Sequence, residues 1–163
     1  MIGLISDTHD NMQAIAKAVE VFNSKKVGLV LHAGDHVAPF TCTVYKGLEC
    51  KLVGVYGNVD GERRALRERF SSMGFKVEKD FEELEVDEVK IALLHGLYPQ
   101  IVEALALSGK YHVVVHGHTH LRRAEKMGSA LVVNPGEACG YVYGVRSVAL
   151  LDTATLKVEF VEF

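Results

Sequence analysis

The chain has 163 residues, 48% of them hydrophobic and 24% charged, with a formal net charge of −3. A chain of this length buries a core without staples, and its composition excludes disorder, collagen-like repeats and a coiled coil. No apolar run reaches the ~18 residues of a bilayer span, and the small negative charge gives no general attraction to nucleic acid or an anionic membrane.

In chain order, residues 2–6 form a short apolar run with the character of a buried strand. Asp7 and His9 then break the N-terminus before the apolar region of a secretory leader could form. Residues 11–24 place Met12, Ile15, Ala16, Val19 and Phe22 at helical spacing, with Asp10 or Asn11 positioned to cap. Strands are predicted at 27–32 and 51–56, separated by a short helix over 39–46 that starts at a proline. A helix over 62–73 carries its arginines, interleaved with Glu62 and Glu68, on a solvated face. Residues 81–86 and 89–94 read as a hairpin turned by Asp87-Glu88, followed by a helix over 98–108 that Gly109 stops. Further strands are expected at 111–115, 130–133, 147–151 and 157–161. The order βαβαβα, then mostly β, predicts one α/β domain over 1–163 with two facing sheets and helices outside. A single parallel sheet is the lesser alternative. The three cysteines, Cys42, Cys50 and Cys139, make no CxxC pair, which fits a reducing cytoplasm.

Five times an apolar strand ends and a metal-capable residue follows. The runs lead to Asp7 and His9, to Asp35, to Asn58, to His95, and to His118 and His120. In α/β folds, sites form where loops leave the carboxyl ends of strands, so these five clusters have a common rim on which to meet. Oxygen and imidazole donors with no cysteine suit Mn²⁺, Fe²⁺, Zn²⁺ or Ni²⁺. Seven such donors exceed one tetrahedral ion and match two octahedral ions that share a carboxylate. Two ions in that arrangement can clamp both the attacking and leaving oxygens of a phosphoryl displacement. His116, His118 and His120 alternate as in a metallo-β-lactamase, but Leu121-Arg122 stands where that pattern needs Asp-His.

On these residues the sequence resembles the calcineurin-like metallophosphoesterases. The pattern D-x-H, G-D, G-N-x-[DE], H, G-H-x-H stands here as Asp7-Thr8-His9, Gly34-Asp35, Gly57-Asn58-Val59-Asp60, His95 and Gly117-His118-Thr119-His120. The small size and the Asn134-Pro135-Gly136 turn look most like the YfcE-type archaeal and bacterial phosphodiesterases. The resemblance implies a four-layer αββα sandwich and a cytoplasmic enzyme that cleaves small phosphodiesters, with phosphomonoesters weaker. It implies two divalent ions, manganese first, with nickel, iron(II) or zinc as alternatives. Asp7, His9, Asp35 and His120 match the ligands of one ion; Asp35, Asn58, His95 and His118 match those of the other, so Asp35 bridges. A hydroxide shared by the two ions is implied to attack phosphorus in line. Nucleic acid enters only as a substrate, and a homodimer or larger homo-oligomer is the expected assembly. Many relatives carry histidine where this chain has Val59. Asp60 remains available to orient a group there, and His36, beside Asp35, is the candidate to replace the missing imidazole. Asp35, Asn58, Asp60 and His36 thus form the expected catalytic set. The rival reading is a Vps29-like binding scaffold on the same fold, with little or no catalysis.

Overall fold

The computed structural model describes residues 1–163. The first strand, β1 (Ile2–Ile5), leads through α1 (Met12–Ser24) to β2 (Leu29–His32), and a 3₁₀ segment (Pro39–Gly47) leads on to β3 (Lys51–Val55). Then come α2 (Arg63–Ser72), β4 (Lys76–Lys79), β5 (Phe81–Val86), β6 (Val89–Leu94), α3 (Pro99–Leu107) and β7 (Val113–Val115). The chain closes with β8 (Arg122–Met127), β9 (Ala130–Pro135), β10 (Ser147–Leu151) and β11 (Val158–Glu162).

These strands form two sheets, six-stranded in the order β11-β10-β1-β2-β3-β4 and five-stranded in the order β5-β6-β7-β9-β8. Both are mixed: β1 through β4 run parallel, as do β6, β7 and β9, while β10, β11, β5 and β8 pair antiparallel. Two-residue alternation sorts the side chains into layers. Ile2, Leu4, Leu31, Val55, Ala149 and Leu151 of one sheet meet Ile91, Leu93, Val113, Val115 and Val133 of the other in a shared interior. The intervening residues face outwards. Ile5, Val30, Leu52, Val148 and Leu150 pack under α1, the 3₁₀ segment and α2. Ala92, Leu94, Val114 and Val132 pack under Val102 and Ala106 of α3. The result is the expected αββα sandwich.

Local chemistry sets the element ends. The Asn11 side chain caps α1 by accepting from the Ala14 N–H at 3.1 Å. The helix expected at 39–46 is a 3₁₀ segment, and the strand expected over 111–115 narrows to Val113–Val115. Two strands, β4 and β8, lie where the sequence pattern predicts none. Each closes the edge of a sheet and is built mainly from lysine, arginine and glutamate, the charges that keep an edge from pairing with another chain. No helix is long and apolar enough to cross a membrane.

Candidate metal centre

The carboxyl ends of β1, β2 and β3 in one sheet, and of β6 and β7 in the other, open onto one rim. Their loops are laced together by backbone hydrogen bonds. Asp7 N–H donates to Gly34 O at 3.1 Å, His9 N–H to Asp35 O at 3.1 Å, and Gly117 N–H to His95 O at 2.9 Å. A Cβ on Gly57 would overlap the Asp35 carboxylate, and one on Gly117 would overlap Ser6 Oγ, so only glycine lets these loops approach. The loops turn sharply enough to hold Asp7, His9, Asp35, His118 and His120 in the left-handed region, at φ of 54°, 38°, 60°, 68° and 61°. Strain of this kind collects at functional sites.

Asp7, His9, Asp35 and His120 bring one donor atom each to within 4.8 Å of one another. Asp7 Oδ1 lies 3.4 Å from His120 Nε2 and 3.9 Å from His9 Nε2. Asp35 Oδ2 faces both halves of the rim, 3.4 Å from His9 Nε2 and 3.3 Å from His95 Nε2. Its other oxygen accepts from the Val59 N–H at 3.2 Å. Asn58 Oδ1 stands 2.9 Å from His95 Nε2 and 2.9 Å from His118 Nδ1. The structure therefore gathers all seven residues singled out by motif.

Two histidines have their orientation fixed from behind. His95 Nδ1 lies 2.7 Å from Ala33 O, an acceptor only, so this nitrogen carries a hydrogen and Nε2 is the atom turned toward Asn58 Oδ1 and Asp35 Oδ2. His120 Nδ1–H likewise donates to Glu137 Oε2 at 2.8 Å, which turns the Nε2 lone pair toward Asp7 Oδ1. Acceptor atoms facing one another at these distances call for a proton or a metal cation between them. Asp7 Oδ1 and His9 Nε2 are buried without any hydrogen-bond partner, so the residues present fit a divalent ion.

Neighbouring charges move the donors in different directions. Burial opposes a proton on His95, but the Asp35 carboxylate beside it outweighs burial and raises the His95 pKa, so a bound ion competes with a proton there. Burial pushes the Asp7 carboxyl up. Burial also opposes ionisation of Asp35, but the neighbouring His95 imidazole and the Val59 N–H outweigh it and hold that carboxyl below its ordinary range. His118 is lowered, first by burial and then by the charge of His95.

Two residues of the expected catalytic set stand elsewhere. His36 is 2% exposed, stacks on His32 at 3.7 Å, and has its Nε2 3.1 Å from Val55 O. It packs edge-on against Phe70 and does not reach the donor cluster, so it cannot replace the imidazole missing at Val59. The Asp60 carboxylate is committed to backbone. It accepts from Val37 N–H at 2.7 Å, Gly57 N–H at 2.7 Å and Asp35 N–H at 3.1 Å, and so positions the loops that carry Asp35 and Asn58. Val59 itself is 41% exposed beside Asn58.

Sequence reasoning missed Glu137, which orients His120 and also accepts from the Val142 N–H at 2.9 Å and the Tyr143 N–H at 2.6 Å. These donors hold its carboxyl low although burial opposes them. The only sequence signal was its place directly after the Asn134-Pro135-Gly136 turn.

Two facing mixed sheets with an oxygen-and-imidazole cluster on their common rim define an α/β protein built to hold divalent metal. The chain belongs to the calcineurin-like phosphoesterase superfamily, whose domain matches residues 1–156. It is 40% identical over 153 residues to a phosphodiesterase of Methanocaldococcus jannaschii, covering 93% of this chain and 92% of that one. The structure of an archaeal phosphodiesterase superposes with a TM-score of 0.96 at 38% identity, over 99% of both chains. Vps29 of Entamoeba histolytica shares the fold, with a TM-score of 0.70 at 20% identity over 99% of this chain and 98% of that one.

Proposed function

We propose that this chain hydrolyses phosphodiesters, with phosphomonoesters as weaker substrates, at a centre for two divalent ions. The observation that carries the reading is the convergence of ligand atoms across the rim, with Asp35 Oδ2 between His9 Nε2 and His95 Nε2. In this reading Asp7, His9, Asp35 and His120 hold one ion, and Asp35, Asn58, His95 and His118 hold the other. Ions so held supply a water nucleophile of lowered pKa and offset charge on the phosphoryl oxygens. The chain's own part is to keep the imidazoles aimed. Ala33 O does this for His95 and Glu137 for His120, while Asp60 fixes the loops bearing Asp35 and Asn58. Ligand type favours manganese, with nickel, iron(II) or zinc able to take its place.

The likeness to a phosphodiesterase at 40% identity supports the diester preference. A Vps29-like scaffold is the weaker reading, because every ligand position is kept. We treat residues 1–163 as one domain on the shared interior, and assign it to the cytoplasm on its three free thiols.

Metal analysis followed by a phosphodiester panel with added Mn²⁺ tests the reading. Asp35→Asn should lose both bound metal and turnover, whereas the exposed His112→Ala should keep both. Equal metal content and equal rates in the two variants would refute the ligand assignment.

A further inference from the structure

A cavity of about 260 Å³ opens beside Asn58 and His95, continuous with the donor cluster. Its outer wall is made by Leu97, Tyr98 and Ile101, at the start of α3 and in the segment before it. These three large side chains are 43%, 61% and 49% exposed, an unusual concentration of apolar surface around one opening. Arg63, on the opposite wall, is already engaged. Its guanidinium pairs with Asp80 at 2.8 Å, donates through Nε to Asp60 O at 3.2 Å, and lies 5.0 Å from the centre of the Tyr56 ring. The charge of the one cation lining the cavity is therefore offset by Asp80, and the outer wall presents aromatic and apolar faces.

We propose that this cavity receives a planar aromatic ring carried on one ester arm of the substrate, with Tyr98 and Ile101 as specificity-determining residues. The proposal rests on the phosphodiesterase reading, since a phosphoryl group at Asn58 and His95 places its ester arm at the mouth of the cavity. The volume lies just below the ~300–1,000 Å³ of typical ligand pockets, which suits one ring system. Tyr98 supplies an aromatic face of the kind that stacks on a nucleobase or an aryl ring alike. Those are the two sources of the same chemistry.

Ring binding is measurable without turnover. The full chain, stripped of metal and isotopically labelled, is titrated with adenosine, with phenol, with ribose and with cyclohexanol while backbone amide resonances are followed. Adenosine or phenol should shift the amides of Leu97, Tyr98 and Ile101, and ribose and cyclohexanol should not. The stronger of the two aromatic ligands identifies the source. Tyr98→Ala, at an exposed position that folding does not need, should weaken the aromatic ligand roughly tenfold, the effect of about 1.4 kcal/mol of stacking. Ile101→Glu should weaken it as well. No shift at these amides, or equal shifts with ribose or cyclohexanol, would overturn the proposal.

With metal restored, Tyr98→Ala should raise KM for a bis-aryl phosphodiester and leave that for a dialkyl diester near the parent value. Unchanged KM for both, in a chain that still cleaves them, would overturn the pocket assignment and leave the phosphodiesterase reading standing. Ring binding at these amides in a chain that cleaves no phosphodiester would do the reverse.

Discussion

Asp60 and Val59 are neighbours with opposite tasks. One carboxylate satisfies three backbone N–H groups of the two loops that present Asp35 and Asn58. Asp60→Ala strands those donors, and each buried unsatisfied group costs ~1–3 kcal/mol. A loss of at least about 3 kcal/mol in urea unfolding is therefore expected. Metal affinity should fall about 10–100-fold, as when an outer partner of a ligand is removed. A variant as stable and as metal-tight as the parent would show that the clamp is dispensable. In the proposed reading Val59, unlike a histidine, offers no proton to the departing oxygen. General-acid help is worth ~10²–10⁴-fold, so Val59→His should help alkyl diesters most and flatten the dependence of rate on leaving-group pKa. An unchanged slope in a variant that binds both metals would mean that position 59 does not face the leaving group. The seven donor residues were legible because each follows an apolar run at motif spacing. Glu137 was not, because it reaches His120 through the fold and carries no spacing signal of its own.

Strand ends explain both what the pattern shows and what it hides. Two-residue alternation exposes the central strands, since each has one face in the shared interior and one beneath helices. β4 and β8 escape because edge strands trade apolar alternation for charge; β8 buries none of its six residues fully. The same strand ends carry buried neutral histidines. His116, just after β7, is 3% exposed, and burial holds its pKa at about 4. His32, at the end of β2, is pushed well down by burial and then by the charge of His36. An unfolded imidazole takes its proton near pH ~6.5. As pH falls below that value the unfolded chain binds protons that the folded chain refuses, so stability drops. For His116 alone, the loss between pH 7 and pH 5 should be about 2 kcal/mol. Urea melts under chelator, where metal release contributes nothing, measure it. His116→Leu should remove that part of the slope, because Gly117 O keeps its bond from Asn134 Nδ2 at 2.8 Å. An undiminished slope in that variant would assign the acid sensitivity elsewhere.

At the scale of the molecule, the donors are divided between the layers. Asp7, His9, Asp35 and Asn58 follow strands of the six-stranded sheet; His95, His118 and His120 follow strands of the five-stranded one. Ions bound across the rim therefore tie together two sheets that otherwise meet through apolar contact. Ligand at 100 times its dissociation constant stabilises a fold by about 2.7 kcal/mol. For a chain of this size that is a rise of roughly 5–10 °C in Tm for each ion. Calorimetry with and without chelator should show that difference in the parent and a much smaller one in Asp35→Asn. An identical Tm in both conditions would mean that the sheets are held without metal.

Glu137 links the outer surface to the candidate metal centre. The carboxylate that steadies His120 also grips the N–H groups of Val142 and Tyr143, in a loop where Tyr141, Val142 and Tyr143 are 63%, 60% and 53% exposed. If release of the ion lets the His120 ring turn away, Glu137 loses one partner and its hold on the loop weakens. A protease that cuts after aromatic residues should then nick the chain at Tyr141 or Tyr143 faster when metal is withheld. In Glu137→Gln, cutting should be fast with or without metal. Equal cutting of the parent in both states would mean that the loop does not sense the ion.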